Sequence, residues 1–171
     1  MHRLTRQLAV ALLMLLLAGC GFHPRGSGGL PDSMAVTYIQ GVKPWSAIHE
    51  NFRDALEEHG VTVTERRDEA TAVLHVMQQG SRIDVLTVDI GGKVQELQRV
   101  QMIRFRVLGK EQQLLVDEQT VVVNRDFVFI KTDILAKERE SQFILRELER
   151  DVVNLAMLRI MAAGRSEQVS P

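Results

Sequence analysis

The chain has a single cysteine, Cys20, so no disulfide can form within it and its stability must come from core packing. Aromatic residues are scarce, 5% with one Trp and one Tyr, which leaves little material for a platform that stacks single-stranded nucleic acid. Neither sign of charge dominates: 21 Lys and Arg stand against 22 Asp and Glu, a formal charge of −1. Domains that bind nucleic acid are usually strongly basic, so that class of partner is set aside. The apolar run Leu8 to Ala18 falls well short of the ~20 residues a membrane-spanning helix needs, and nothing later in the chain reaches that length.

Catalytic and metal-binding patterns are missing too. The histidines are His2, His23, His49, His59 and His75; none pairs with a cysteine and no H-E-x-x-H spacing occurs. His49 and His59 fall on a charged helix and His75 within a strand, so all three read as surface or satisfied residues. No serine sits in a G-x-S-x-G elbow. Gly91-Gly92-Lys93 lacks both the preceding glycine spacing and the following Ser or Thr of a phosphate loop, and reads as a hairpin turn. The carboxylate pairs Glu57/Glu58 and Glu138/Glu140 belong to solvated helix faces. The expectation is a protein that is not an enzyme and has no metal or cofactor.

What is present begins at the N-terminus. His2, Arg3 and Arg6 precede the apolar run, and Leu17-Ala18-Gly19-Cys20 places small residues just before the lone cysteine. This resembles a bacterial lipoprotein signal; an ordinary secretory signal with Cys20 as a chance residue is the alternative reading. Residues 1–19 are expected to be removed, leaving Cys20 to carry S-diacylglycerol and an N-acyl chain. More than one acyl chain is what stable anchoring requires. Gly21 stands where an Asp commonly marks inner-membrane retention, which favours the periplasmic side of the outer membrane. Removal of the signal takes away Arg3 and Arg6 and no acid, moving the formal charge from −1 to −3.

Residues 20–31, rich in Gly and Pro, read as the lipidated cysteine and its tether. Met34 to Gln40 is a first strand by composition. Ser46 to His59 is a helix: Ile48, Phe52, Ala55 and Leu56 recur at helical spacing, Ser46 is the N-cap and Gly60 ends it. From Val61 to Phe129 the period is two. Strand-like runs are Ala72 to Met77, Arg82 to Ile90, Val94 to Leu108 and Gln112 to Phe129, with turns at Gly91-Gly92 and at Leu108-Gly109-Lys110. In the third run Ile103, Phe105 and Val107 share one face, while Met102, Arg104, Arg106 and Leu108 share the other. Thr132 to Ala163 is a long helix that starts at Thr132 or Asp133, carries Leu145, Leu148, Val152, Leu155 and Ile160 on its apolar stripe, and stops at Gly164. Residues 165–171 are expected to form a flexible tail. Both helices must bury their stripes, and covering one sheet face achieves that. The expected fold is therefore α+β, a two-layer sandwich over residues 32–164. It has a mostly antiparallel sheet of four to five strands, with two helices packed on one face.

Basic residues are the one candidate binding feature. Arg82, Lys93, Arg99, Arg104 and Arg106 fall on strands and turns, and Lys131 and Lys137 flank the start of the last helix. Gathered at one end of the sheet they could hold an anion such as phosphorylated lipid A. Guarding strand edges and solvating an open face is the alternative reading.

Cys20-Gly21-Phe22-His23-Pro24-Arg25-Gly26 resembles the CGFHLRG-type start of the lipopolysaccharide-assembly lipoproteins of the LptE (RlpB) family, with Pro24 where Leu is usual. Leu56 to Val61 and Asp133-Ile134-Leu135-Ala136-Lys137-Glu138 fit the same family. The resemblance implies a non-enzymatic outer-membrane subunit that plugs a large β-barrel partner, LptD, assists its assembly and helps deliver lipopolysaccharide to the outer leaflet. It also implies that Lys137 occupies a basic position used in lipopolysaccharide binding. A second such position falls at the hairpin where this chain has Ile90, with Lys93 nearby; Arg104 and Arg106 complete the candidate site. A free-standing periplasmic lipid-binding or transport-auxiliary lipoprotein is the alternative function.

Overall fold

The computed structural model describes residues 29–128 and 134–167, the side chains of 134–138 and 165–167 excepted. A short 3-10 turn, Asp32–Met34, leads into β1 (Val36–Gln40). Then come α1 (Ala47–Glu58), β2 (Thr62–Thr64), β3 (Ala72–Val88), β4 (Val94–Gly109), β5 (Leu114–Val128) and α2 (Ile134–Glu167).

The ends of α1 follow from local chemistry. The Ser46 hydroxyl accepts from the His49 N–H at 3.4 Å. At the other end Gly60 has φ +81, a conformation that costs a residue with a Cβ, and the Val61 N–H reaches the Leu56 carbonyl at 3.0 Å. Ile48, Phe52 and Leu56 point into the core.

The sheet order is β2-β1-β3-β4-β5. Strands β3, β4 and β5 form two antiparallel pairs, whereas β1 runs parallel to both β2 and β3, so the sheet is mixed. A strand–helix–strand crossover through α1 forces the parallel β1–β2 pair. Strand β2 is absent from the sequence reading because three residues carry too little alternation to register. The runs Ala72 to Met77 and Arg82 to Ile90 are one strand, Ala72–Val88, which passes through Gly80 and takes a register shift between Val76 and Gln78. Strand β4 pairs with its full length, so the ladder carries the backbone across the glycine.

Both helices cover the same face. Phe52 and Leu56 from α1, and Val152, Val153, Ala156, Met157 and Ile160 from α2, meet Leu74, Val76, Ile103, Phe105, Val107 and Val121 in the main core. A smaller cluster of Leu97, Phe127, Ile144 and Leu148 continues it toward the far end of the β3–β4 hairpin. The stripe of α2 is rotated from the expected one: Leu145 and Leu155 are half-buried, and Ile144, Ala156 and Met157 take their places. Thr132 and Asp133 lie outside the described residues. The helix does not stop at Gly164 but runs to Glu167. A Cβ on Gly164 would lie 2.6 Å from Cγ of Pro31, so the glycine permits close approach of the N-terminal segment and does not cap the helix.

Gly41 at the end of β1 has φ +91 and abuts the Val76 carbonyl oxygen, leaving no room for a Cβ. Gly41→Ala is expected to destabilise the chain by about 1–3 kcal/mol from backbone strain alone. A urea midpoint unchanged from the parent would show that this turn can move.

Candidate functional site

Alternation along β4 sets the site. Ile103, Phe105 and Val107 enter the core, so Arg104 and Arg106 face away from the helices, as the sequence pattern predicts. The Arg104 guanidinium lies 3.4 Å from Glu118, and both side chains are about half exposed. Arg106 pairs in register with His75 of β3. It is half-buried, and its Nε is buried without a hydrogen-bond partner among the described residues. Burial, followed by the charges of Arg106 and Arg67, holds the His75 imidazole below its ordinary value. The open face thus has a cationic patch of Arg104 and Arg106, with Arg67 acting on the same histidine. Arg67 is absent from the sequence-based candidates, and His75 reads there only as a surface or satisfied strand residue, because their proximity to Arg106 depends on how the strands pack.

The other basic residues do not converge on this patch. Lys93 lies at the hairpin tip, where its backbone N–H donates to Oδ1 of Asp89 at 2.9 Å. At about 3.3 Å per residue, Lys93 and Arg104 stand roughly 35 Å apart along β4. Lys137 occupies the first turn of α2, two turns ahead of Ile144, which packs with Phe127 and Leu97. That places its backbone toward the hairpin tip; its side chain lies outside the described residues, as do Lys131 and Cys20. Arg82 is engaged with Asp84 at 2.9 Å. Arg99 faces the helices, reaching the Ser141 hydroxyl at 2.7 Å. Nearby, burial raises the Glu149 carboxyl, offset by Arg146 and Arg99. The basic residues therefore form at least two separate regions, and the expectation of a single cluster at one end of the sheet does not hold.

The second notable surface is the hairpin itself. β1 pairs with β3 only from Ala72 to His75, so among the described residues the outer edge of β3 from Gln78 to Val88 carries no strand. Register opposite Arg99 and Leu97 turns Ile83 and Val85 toward the helix side, yet α2 packs on β4 and β5 and leaves them exposed. Leu86, Val88 and Ile90 are exposed as well. Among the described residues no group of His, Cys, Asp or Glu could hold a metal ion, and no helix is long and apolar enough to cross a membrane.

A family model for LptE, described as "Lipopolysaccharide-assembly", matches residues 33–160. The chain belongs to the LptE family. The matched range spans the open-face patch, the bare β3 edge and most of α2. A protein of Photorhabdus laumondii called LPS-assembly lipoprotein LptE is 24% identical, over 98% of this chain and 90% of its own length. The fold agrees with solved structures. Lipoprotein B of Nitrosomonas europaea superposes with a TM-score of 0.69 at 21% identity, covering 83% of this chain and 91% of that one. Rare lipoprotein B of Shewanella oneidensis does so with a TM-score of 0.62 at 17% identity, covering 78% and 96%.

In this LptE-family chain the His75 imidazole, held below its ordinary value, is expected to make stability depend on pH. Its folded-state value lies below 6.5, so the unfolded chain takes up the proton first. Stability is present above 6.5 and is expected to fall as the pH drops through the window just below it. His75→Gln should flatten that part of a melting-temperature profile. An unaltered slope would exclude His75 as its source.

Proposed function

We propose that this chain is an outer-membrane lipoprotein subunit of the lipopolysaccharide translocon. Acylated Cys20 anchors it on the periplasmic side, and residues 20–31 tether the domain of residues 32–164. The domain plugs an LptD-type β-barrel, assists its assembly and helps insert lipopolysaccharide into the outer leaflet.

The observation that carries this reading is the hairpin: an edge from Gln78 to Val88 that pairs with no strand among the described residues, with Ile83, Val85, Leu86, Val88 and Ile90 exposed. A long open edge beside exposed apolar residues is a surface that a solitary soluble domain normally protects. The polar open face, with Arg82–Asp84 and Arg104–Glu118 ion pairs, suits the polar interior of a barrel. Lipopolysaccharide phosphates would be held at two places, by Arg104 and Arg106 on the open face and by Lys93 and Lys137 toward the tip. Charge-assisted hydrogen bonds supply the attraction at each.

The test is a pull-down of the tagged full chain from detergent-solubilised outer membranes, with quantification of co-eluting proteins. One large β-barrel at equal stoichiometry is expected. Paired Val85→Asp and Leu86→Asp changes should lower its recovery at least tenfold while the circular dichroism spectrum stays that of the parent. Recovery of the chain with no barrel would sink the plug reading.

A further inference from the structure

The chain's only tryptophan is spent on an exposed turn. Trp45 is 72% exposed and has φ +66, a left-handed conformation that a bulky residue adopts only when its surroundings impose it. The surroundings are tight. Gly41 is pressed against β3, Pro44 precedes the tryptophan, and the Ser46 N–H donates to the Lys43 carbonyl at 3.1 Å just before α1 begins. The Arg53 guanidinium lies 5.2 Å from the centre of the indole ring and is held by Glu50 at 2.6 Å. Trp45 is thus fixed in place with much of its ring open to solvent.

It borders a cleft of about 530 Å³ between α1 and the strands β1 and β2. His49, Arg53 and Glu57 lie one turn apart along α1 and form one wall; Tyr38, Thr64 and Glu65 lie on the other. The volume falls in the usual range for small-ligand sites. The lining carries both signs of charge, and its two carboxylates, Glu57 and Glu65, disfavour a phosphate or another strong anion. Hydroxyls, a guanidinium, an imidazole and carboxylates together offer both donors and acceptors beside an aromatic plate.

That chemistry matches a pyranose ring. A sugar offers a flat C–H face to an aromatic ring, and its hydroxyls each donate and accept toward planar polar side chains. We propose that the Trp45 cleft is a saccharide site for neutral hexopyranose units, separate from the cationic patch. The sugar could come from the oligosaccharide of lipopolysaccharide or from the glycan of peptidoglycan; the recognition chemistry is common to both. The inference stands independently of the barrel reading.

Because Trp45 is the only tryptophan, its fluorescence reports on this cleft alone. The full chain, in a zwitterionic detergent without sugar headgroups, is titrated separately with the neutral hexose portion of the core oligosaccharide, freed of phosphate and acidic sugars, and with the N-acetylglucosamine disaccharide chitobiose as the neutral stand-in for peptidoglycan glycan. A saturable change with either sugar is expected. Arg53→Ala and Glu57→Ala should each weaken it about two- to tenfold, the scale of one hydrogen bond. A response to core oligosaccharide alone assigns lipopolysaccharide sugar, a response to the disaccharide alone assigns cell-wall glycan, and a response to both assigns a general pyranose site. No response to either at about 10 mM overturns the proposal, a concentration beyond the ~1 mM range of weak binding. So does an equal response to inorganic phosphate, or a response that neither variant alters.

Discussion

Cys20→Ala is expected to release the chain from membranes completely. The prediction rests on the proposal that Cys20 carries the lipid, which the small residues before it and the basic-then-apolar start motivate. No helix among the described residues can replace the anchor, since α2, at 34 residues, is long enough but too polar. Each buried methylene of an acyl chain contributes roughly 0.8 kcal/mol, so losing several chains removes nearly all membrane affinity. Pro31 packs against Gly164, at the end of α2 remote from the hairpin tip, so the proposed tether would leave the fold there. The tip therefore lies on the order of 50 Å away, the length of β4 at about 3.3 Å per residue. The anchored chain would thus hold its bare hairpin well away from its own point of attachment. Fractionation followed by detergent-free washing checks the prediction: a Cys20→Ala chain that stays with the membrane pellet in the absence of its partner would refute an acyl anchor.

Phe105→Ala is expected to cost about 3–5 kcal/mol, the range for removing a large aromatic from a packed core. Phe105 is completely buried in the middle of β4, with Val76 opposite on β3 and Gln119 opposite on β5. Its cluster includes Phe52 of α1 and Met157 and Ile160 of α2, so Phe105 belongs to the core that joins the sheet to both helices. Domains are typically stable by only about 5–15 kcal/mol, so a loss of this size leaves a large unfolded fraction at moderate urea. Val122→Ala is the matched control, because Val122 lies on the open face of β5 and is 52% exposed; its effect should stay within about 0.5 kcal/mol. Equilibrium urea unfolding at 25 °C decides: a difference below about 1 kcal/mol between Phe105→Ala and the parent would mean that the core is not centred on this residue.

Features governed by near neighbours were legible in the sequence. Ser46 and Gly60 mark the ends of α1 because caps involve residues only a few positions apart. The division of β4 into Ile103, Phe105 and Val107 against Arg104 and Arg106 follows from the two-residue repeat of a strand. The two-layer arrangement follows in turn, since two helices with apolar stripes and a sheet with one dry face have few ways to cover one another. The segment around Cys20 and those at Leu56 to Val61 and Asp133 to Glu138 also carry the family resemblance.

Tertiary structure alone decided the rest, through residues far apart in the chain. Gly80 stays within a strand because β4 supplies the ladder beside it, and Gly164 continues a helix because Pro31 needs the space. His75 and Arg106 become neighbours through register, with the charge of Arg67 acting on the same imidazole, while Lys93 is carried to the far end of the hairpin by the length of β4. Trp45, His49, Arg53 and Glu57 look in sequence like a turn followed by a charged helix face. They become a cleft only when β1 and β2 close its second wall. Periodicity and capping are local properties written in adjacent residues, whereas a site is a convergence of distant ones and exists only once the chain has packed.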